Sequence, residues 1–203
     1  SCIAAKRWIV QESVADDFVS RIQDRMARLV AGDPADPATN IGPMARDDLR
    51  RAVHEQVQDS VTEGATLVAG GVIPDGPGYH YPATLLDSVS TSMTVAREET
   101  FGPVACVIRV ADDDEAVRVA NDTAYGLGAS VWSRSERGLA VGTRIRSGAL
   151  FVNAVVASDA RMPFGGLGRS GHGRELGAAG VREFTNVRTV WIGDGAHLPT
   201  IAE

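Results

Sequence analysis

Cys2 is the side chain best able to act as a nucleophile, because a thiolate is intrinsically very nucleophilic. Lys6 and Arg7 follow it closely and could lower the pKa of the thiol through their positive charge. A single cysteine is nevertheless more often a small buried apolar residue than a reactive one. The other cysteine, Cys106, lies inside the apolar run Val104–Val110, and we interpret it as part of the core. The residue types alone therefore leave the role of Cys2 open.

Three segments give Cys2 a context. They are S-C-I-A-A-K-R-W-I-V at Ser1–Val10, E-E-T-F-G-P-V at Glu98–Val104, and M-P-F-G-G-L-G-R-S-G-H-G-R-E at Met162–Glu175. In this order and at these separations they resemble the aldehyde dehydrogenase superfamily. Three further segments resemble the sequences of succinate-semialdehyde dehydrogenases: G-P-M-A-R at Gly42–Arg46, F-V-N-A-V-V-A-S-D-A-R at Phe151–Arg161, and G-R-E-L-G at Gly173–Gly177.

The resemblance implies NAD(P)-dependent oxidation of an aldehyde, with succinate semialdehyde as the expected substrate. Cys2 would attack the aldehyde carbon, and the thiohemiacetal would release hydride and leave a hydrolysable thioester. Glu99 would accept hydrogen bonds from the nicotinamide ribose, and Phe101 would flank the nicotinamide ring. Without the resemblance, two acids ahead of a strand are as often simply solvated. The sequence does not decide between NAD and NADP.

The same resemblance assigns the substrate site to a loop after a strand ending at Asn153. Phe164 would shape the substrate tunnel, and Ser158 and Arg161 would face a distal carboxylate, which an arginine fork binds at two points. Asp159 stands between them and could instead occupy Arg161 in a structural ion pair. The family usually has lysine where Gly168 stands, so the function of that lysine is absent.

Family members are usually more than twice as long, with a nucleotide-binding domain ahead of the nucleophile. We therefore expect a C-terminal catalytic portion, with residues 1–181 as the catalytic domain and residues 182–203 as an oligomerisation strand and tail. The glutamate base of the family would lie upstream, so the chain by itself is expected to be inactive or nearly so. The alternatives are a non-catalytic oligomerisation module and a dehydrogenase of another aldehyde.

Periodicity predicts an α/β fold, a three-layer domain around a largely parallel sheet. The run Val104–Val110 is typical of a strand covered on both faces. The other predicted elements are helices over Ser13–Ala31 with Ser13 as N-cap, Asp47–Glu63, Asp112–Asn121 and Arg134–Arg146, and strands over Ala65–Ala69, Gly128–Trp132 and Ala149–Asn153.

Arg182–Ile192 is rich in β-branched and aromatic residues and is predicted to be a strand. In the family the corresponding strand joins the sheet of a neighbouring subunit, which implies a homo-oligomer. The alternative is that it pairs within its own chain.

Gly166, Gly168 and Gly171 spell G-x-G-x-x-G, the pattern of a dinucleotide-binding loop. That pattern has meaning only where it leaves a strand and opens a helix. Here the preceding strand is predicted to end at Asn153, and no βαβ unit fits between Gly171 and the last residue. We therefore interpret these glycines as a requirement of close packing.

Composition excludes several other classes. A net charge of -6 and a pI near 5.2 are unlike a nucleic-acid-binding surface. Two distant cysteines in 203 residues favour a reducing, cytoplasmic setting. No apolar run is long enough to span a membrane, and the four histidines lack metal-ligand spacing, so no metal is expected.

Overall fold

The computed structural model describes residues 2–134 and 136–194. The strands are β1 Arg7–Gln11, β2 Thr66–Ala69, β3 Thr84–Asp87, β4 Val104–Val110, β5 Gly128–Val131 and β6 Ala149–Val152. The helices are α1 Glu12–Met26, α2 Asp47–Thr62, α3 Thr94–Arg97, α4 Asp113–Asn121, α5 Arg137–Gly142 and α6 Gly177–Glu183, with a 3-10 turn at Gly168–Ser170. Strands and helices alternate along most of the chain, as predicted.

The main sheet has the order β1-β4-β3-β2. Strand β4 runs parallel to both β1 and β3, and β2 at the edge is antiparallel to β3. Strands β5 and β6 form a separate parallel pair. The largely parallel arrangement is confirmed, but the described residues divide it between two sheets.

Helices cover both faces of the main sheet, with β4 in its interior. Alternate residues of β4 point to opposite faces. Cys106 and Ile108 join the cluster formed with α2, α3 and α4, whereas Ala105 and Val107 pack with α1. The three-layer fold and the two-sided burial of the Val104–Val110 run are therefore confirmed.

Helix α1 differs from its prediction at both ends. Strand β1 leads directly into it, so Gln11 is the N-cap and Ser13 makes no cap. The helix ends at Met26 instead of Ala31 because Asn40 binds the following segment: its side chain accepts a hydrogen bond from the Val30 amide at 2.9 Å. Helix α5 begins at Arg137 instead of Arg134 and ends at Gly142 instead of Arg146. At its C-terminal end, Asn121 binds the backbone at Arg144 and Arg146.

Arg182–Ile192 forms no strand in the described single chain, so pairing within its own chain is not observed, and the strand paired with a neighbouring subunit stays a prediction. Arg182 and Glu183 end α6, and residues 184–194 form no strand pairing with the described part of the chain. Four large apolar side chains there are almost fully exposed: Phe184, Val187, Trp191 and Ile192. Residues 195–203 of the predicted tail lie outside the described residues.

In the part of the chain that is described, no helix is long and apolar enough to cross a membrane.

Candidate active site at the amino edge of the main sheet

The pairing of β1 with β4 brings two distant segments to one edge of the sheet. The strands are parallel, and Arg7 lies opposite Cys106. Cys2 precedes Arg7 by five residues, and Phe101 precedes Cys106 by the same number. Because parallel strands start at the same edge, the Cys2 segment and the Glu98–Gly102 loop both enter the sheet there.

One residue of the loop is buried between exposed neighbours. Thr100 is 2% exposed, whereas Glu99 is exposed and Phe101 is 53% exposed. A tight turn follows, in which the Gly102 amide donates to the Thr100 carbonyl at 2.8 Å. Thr100 thus anchors the loop while its two neighbours face solvent. No described residue donates a hydrogen bond to the Glu99 carboxylate, whose oxygens can therefore accept hydrogen bonds from a ligand.

Lys6 and Arg7 both bind backbone carbonyls instead of the Cys2 thiol. Lys6 Nζ donates to the Gly102 carbonyl at 2.7 Å. Partial burial lowers the pKa of Lys6, and the nearby Glu99 charge only partly opposes that effect. Arg7 donates to the carbonyls of Val119 and Ala120 at the end of α4. Both cations therefore hold the backbone in place, and neither bonds to the thiol.

The two cysteines have opposite environments. Cys2 is a free, exposed thiol, whereas Cys106 is 1% exposed. Burial raises the pKa of Cys106 to about 12, although the charge of Arg7 opposes this. The Cys106 thiol donates to the Val95 carbonyl at 3.7 Å. The interpretation of Cys106 as a core residue is confirmed.

The predicted substrate loop follows the smaller sheet. Asn153, directly after β6, has a positive φ of 53°, and its side chain accepts a hydrogen bond from the Ser133 amide. Ser158 is exposed. Arg161 is 87% exposed and binds both carboxylate oxygens of Asp159, at 2.9 and 2.6 Å. The structural ion pair, one of the two interpretations of Arg161, is thus formed in this structure.

Phe164 is half-buried and pairs with Glu175 through two backbone hydrogen bonds of 2.8 Å. Gly168 begins the 3-10 turn Gly168–Ser170. Strand β6 ends at Val152, well before Gly166, and α6 begins at Gly177, so this G-x-G-x-x-G neither leaves a strand directly nor opens a helix. Close packing explains at least one glycine of this region, because a Cβ on Gly166 would overlap Ser170. No hydrogen bond, ion pair or ring contact within the described ranges joins Ser158, Arg161 or Phe164 to Cys2 or Glu99.

Sequence reasoning missed Gln56. From α2 its side-chain amide donates to Glu98 Oε2 at 3.1 Å and to the Glu99 carbonyl at 3.4 Å. The two positions are more than forty residues apart, and no local pattern signals the contact.

Among residues 2–134 and 136–194, no group of three His, Cys, Asp or Glu side chains could hold a metal ion.

Comparison with known proteins decides the family. The aldehyde dehydrogenase family model matches residues 1–190. The chain belongs to the aldehyde dehydrogenase family. An aldehyde dehydrogenase of Paenarthrobacter nicotinovorans is 48% identical over 192 residues, which are 94% of this chain and 42% of that protein. Succinate-semialdehyde dehydrogenase (NADP(+)) 1 of Mycobacterium tuberculosis H37Rv is 48% identical over 193 residues, 95% of this chain and 42% of that enzyme.

Solved structures of this family share the fold. Succinic semialdehyde dehydrogenase from Streptococcus pyogenes, solved with NADP+, has a TM-score of 0.91 and 34% identity, covering 95% of this chain and 42% of that one. An NAD-dependent aldehyde dehydrogenase from Sinorhizobium meliloti has a TM-score of 0.94 and 37% identity, covering 100% and 40%. The chain thus spans about two fifths of the length of these relatives.

Proposed function

We propose that this chain provides the nucleophile and the nicotinamide-ribose contact of an NAD(P)-dependent aldehyde dehydrogenase. The observation that carries the proposal is the parallel register of β1 and β4. It brings an exposed thiol to the same sheet edge as an exposed carboxylate that accepts no hydrogen bond from the described residues. Those are the two groups that the family motifs around Cys2 and Glu99 would require there.

Cys2 acts as the nucleophile in this proposal. Its thiolate forms a bond to the aldehyde carbon, and the carbonyl electron pair moves to oxygen. Expulsion of hydride from that carbon leaves an acyl thioester on Cys2, and water cleaves it to the acid and the free thiol. Bound NAD or NADP supplies the hydride acceptor.

The residues present fit the nicotinamide end of such a cofactor. The Glu99 carboxylate can accept hydrogen bonds from both ribose hydroxyls, and the half-exposed Phe101 ring offers an apolar face. Relatives of both cofactor types match this chain, and we propose NAD or NADP without choosing between them.

The proposed substrate is succinate semialdehyde. Its distal carboxylate would replace Asp159 on the Arg161 guanidinium, while Ser158 donates a further hydrogen bond and Phe164 lines the apolar passage. Asp159 competes with the substrate in this arrangement. Arg161→Ala should therefore weaken protection of Cys2 by succinate semialdehyde, whereas Asp159→Asn should strengthen it. Equal protection in both variants would point to an aldehyde without a distal carboxylate.

The first test uses the chain itself. Succinate semialdehyde should protect Cys2 from iodoacetamide, because a thiol bonded to the aldehyde carbon cannot be alkylated. Reduced cofactor should form only slowly, and not at all in Cys2→Ser. The rate is expected to be low because no described carboxylate or imidazole bonds to Cys2, and a missing general base typically costs about 10² to 10⁴ in rate. No protection and no reduced cofactor would refute the proposal.

A second proposal concerns assembly. Residues 184–194 carry large apolar side chains that are almost fully exposed, with Trp191 at 82% and Phe184 at 92%. We propose that this segment pairs with another copy of the chain, since such a surface is unusual for a monomer. Trp191→Asp should then shift the mass measured by light scattering toward that of a monomer. A monodisperse monomer before the substitution would contradict it.

A cytoplasmic location remains a prediction.

A further inference from the structure

The Glu98–Gly102 loop, called the ribose loop below, is fixed from two sides by side chains that are distant in sequence. Gln56 of α2 donates to Glu98 Oε2 at 3.1 Å and to the Glu99 carbonyl at 3.4 Å. From the Cys2 segment, Lys6 Nζ donates to the Gly102 carbonyl at 2.7 Å. The two side chains thus bind opposite ends of the loop.

Packing between these ends leaves the loop little room. A Cβ on Gly102 would lie 3.1 Å from both γ carbons of Val53, so the loop backbone already touches α2. Thr100 is buried in the middle. The Glu99 carboxylate has no bonded partner among the described residues, while the backbone on both sides of Glu99 is held by these contacts.

The two acids of the loop differ because of these contacts. Gln56 binds the Glu98 carboxylate, whereas the Glu99 carboxylate accepts no hydrogen bond from the described residues and lies near the charge of Lys6. A ligand hydroxyl therefore meets one prearranged carboxylate instead of two competing ones. Lys6 is also the only lysine in the sequence. Its compact ammonium group bonds the carbonyl directly.

We propose that Lys6 and Gln56 are positioning residues that hold the ribose loop in the conformation presenting Glu99 to the cofactor. This inference rests on the proposed function, because Glu99 has a ligand to meet only in a cofactor-binding chain. It differs from a role of Lys6 in activating Cys2. Lys6 Nζ bonds the loop, so the thiol should keep its reactivity when Lys6 is replaced.

The experiment compares Lys6→Met and Gln56→Leu with Gln58→Leu. Gln58 is a matched control on the same helix, and its side chain donates to the Gly71 carbonyl at 3.0 Å, away from the loop. In the full chain we expect amide hydrogen exchange at residues 98–102 to be about tenfold faster in the two test variants and unchanged in the control. Calorimetric titration should show about tenfold weaker binding of NAD+ and NADP+, because a mobile loop must be ordered on binding.

Alkylation of Cys2 by iodoacetamide, followed across pH, should be the same in all three variants and the parent chain. If Gln56→Leu fails to unfold cooperatively, Gln56→Glu replaces it, because it keeps the size, removes the donor and repels Glu98.

Each contrary result has a separate meaning. Unchanged exchange at residues 98–102 in both test variants refutes the positioning role, whether or not a cofactor binds. Faster exchange with unchanged cofactor affinity would show that holding the loop does not help Glu99 to bind the cofactor. The proposed function would still stand. A shifted pH profile of Cys2 alkylation in Lys6→Met alone assigns Lys6 to the thiol and overturns the inference. A parent chain that binds neither NAD+ nor NADP+ overturns the cofactor assignment, whereas the exchange at residues 98–102 still decides whether Lys6 and Gln56 hold the loop.

Discussion

Arg109 is the charged residue whose replacement should most affect stability. It interrupts the apolar run of β4 and binds three carboxylates. It contacts Asp87 at two points, 3.0 and 2.7 Å, Glu12 at 2.9 Å and Asp16 at 2.8 Å. The Asp87 side chain is 9% exposed, whereas those of Glu12 and Asp16 are 62% and 91% exposed. Since exposed pairs contribute about 0 to 1 kcal/mol each, the pair with Asp87 should dominate.

Arg109→Met should therefore lower the free energy of unfolding by about 3 kcal/mol. Removing one partner of a buried ion pair costs about 3 to 5 kcal/mol, and the lower value applies because Arg109 itself remains 21% exposed. Urea denaturation measures the loss. Arg118→Met is the matched control, because Arg118 binds Glu115 on an exposed helix face and should lose about 0.5 kcal/mol or less.

The pH dependence separates this explanation from a simple packing defect. Burial alone would raise the pKa of Asp87, but hydrogen bonds from Arg109 and the Ser88 amide lower it below 3.8. In the parent chain the pair stabilises the fold above pH 3.8, and this contribution is lost as the pH falls through the lower folded pKa.

In Arg109→Met, Asp87 loses that partner and its pKa should rise, so the deficit of the variant should shrink as the pH falls from 7 toward about 4. A deficit independent of pH, or Asp16→Asn as harmful as Arg109→Met, would refute the reasoning.

Two further predictions concern local features. Asp112→Ala should destabilise the protein by about 1 kcal/mol, because its side chain caps α4 by accepting from the Glu115 amide, whereas Ser13→Ala should have almost no effect, since Ser13 makes no cap. Urea denaturation of both variants checks this, and equal losses would contradict it. Iodoacetamide at pH 8 should alkylate Cys2 in the native chain and leave Cys106 unmodified until urea is added, because burial raises the pKa of Cys106 to about 12. Peptide mass spectrometry distinguishes the two sites, and rapid native labelling of Cys106 would show that β4 opens readily.

The family and several elements could be predicted from the sequence because their signals are local. The apolar run Val104–Val110 is a strand at the predicted bounds, and the four-residue spacing of apolar positions found the helix Asp47–Thr62 to within one residue. Side chains of one helix or strand are neighbours in the sequence as well as in space, so periodicity reports their burial directly. The motif segments identified the family in the same way.

Local signals failed where a partner decides the structure. No local pattern predicted a strand at Arg7–Gln11 or Thr84–Asp87, yet β4 pairs with both. The residue types of Arg182–Ile192 predicted a strand, yet the described chain offers that segment no partner. Strand propensity expresses fit to a neighbouring strand, so a segment by itself does not determine whether it pairs.

The sequence by itself therefore determined the family, the central strand and the identity of the candidate nucleophile. Only the tertiary structure decided that the ribose loop is bound by Lys6 and Gln56, that Arg161 is paired with Asp159 in the single chain, and that Arg109 joins β4 to three carboxylates. Most of these contacts join residues dozens of positions apart. They depend on strand register and helix packing, which sequence spacing does not encode.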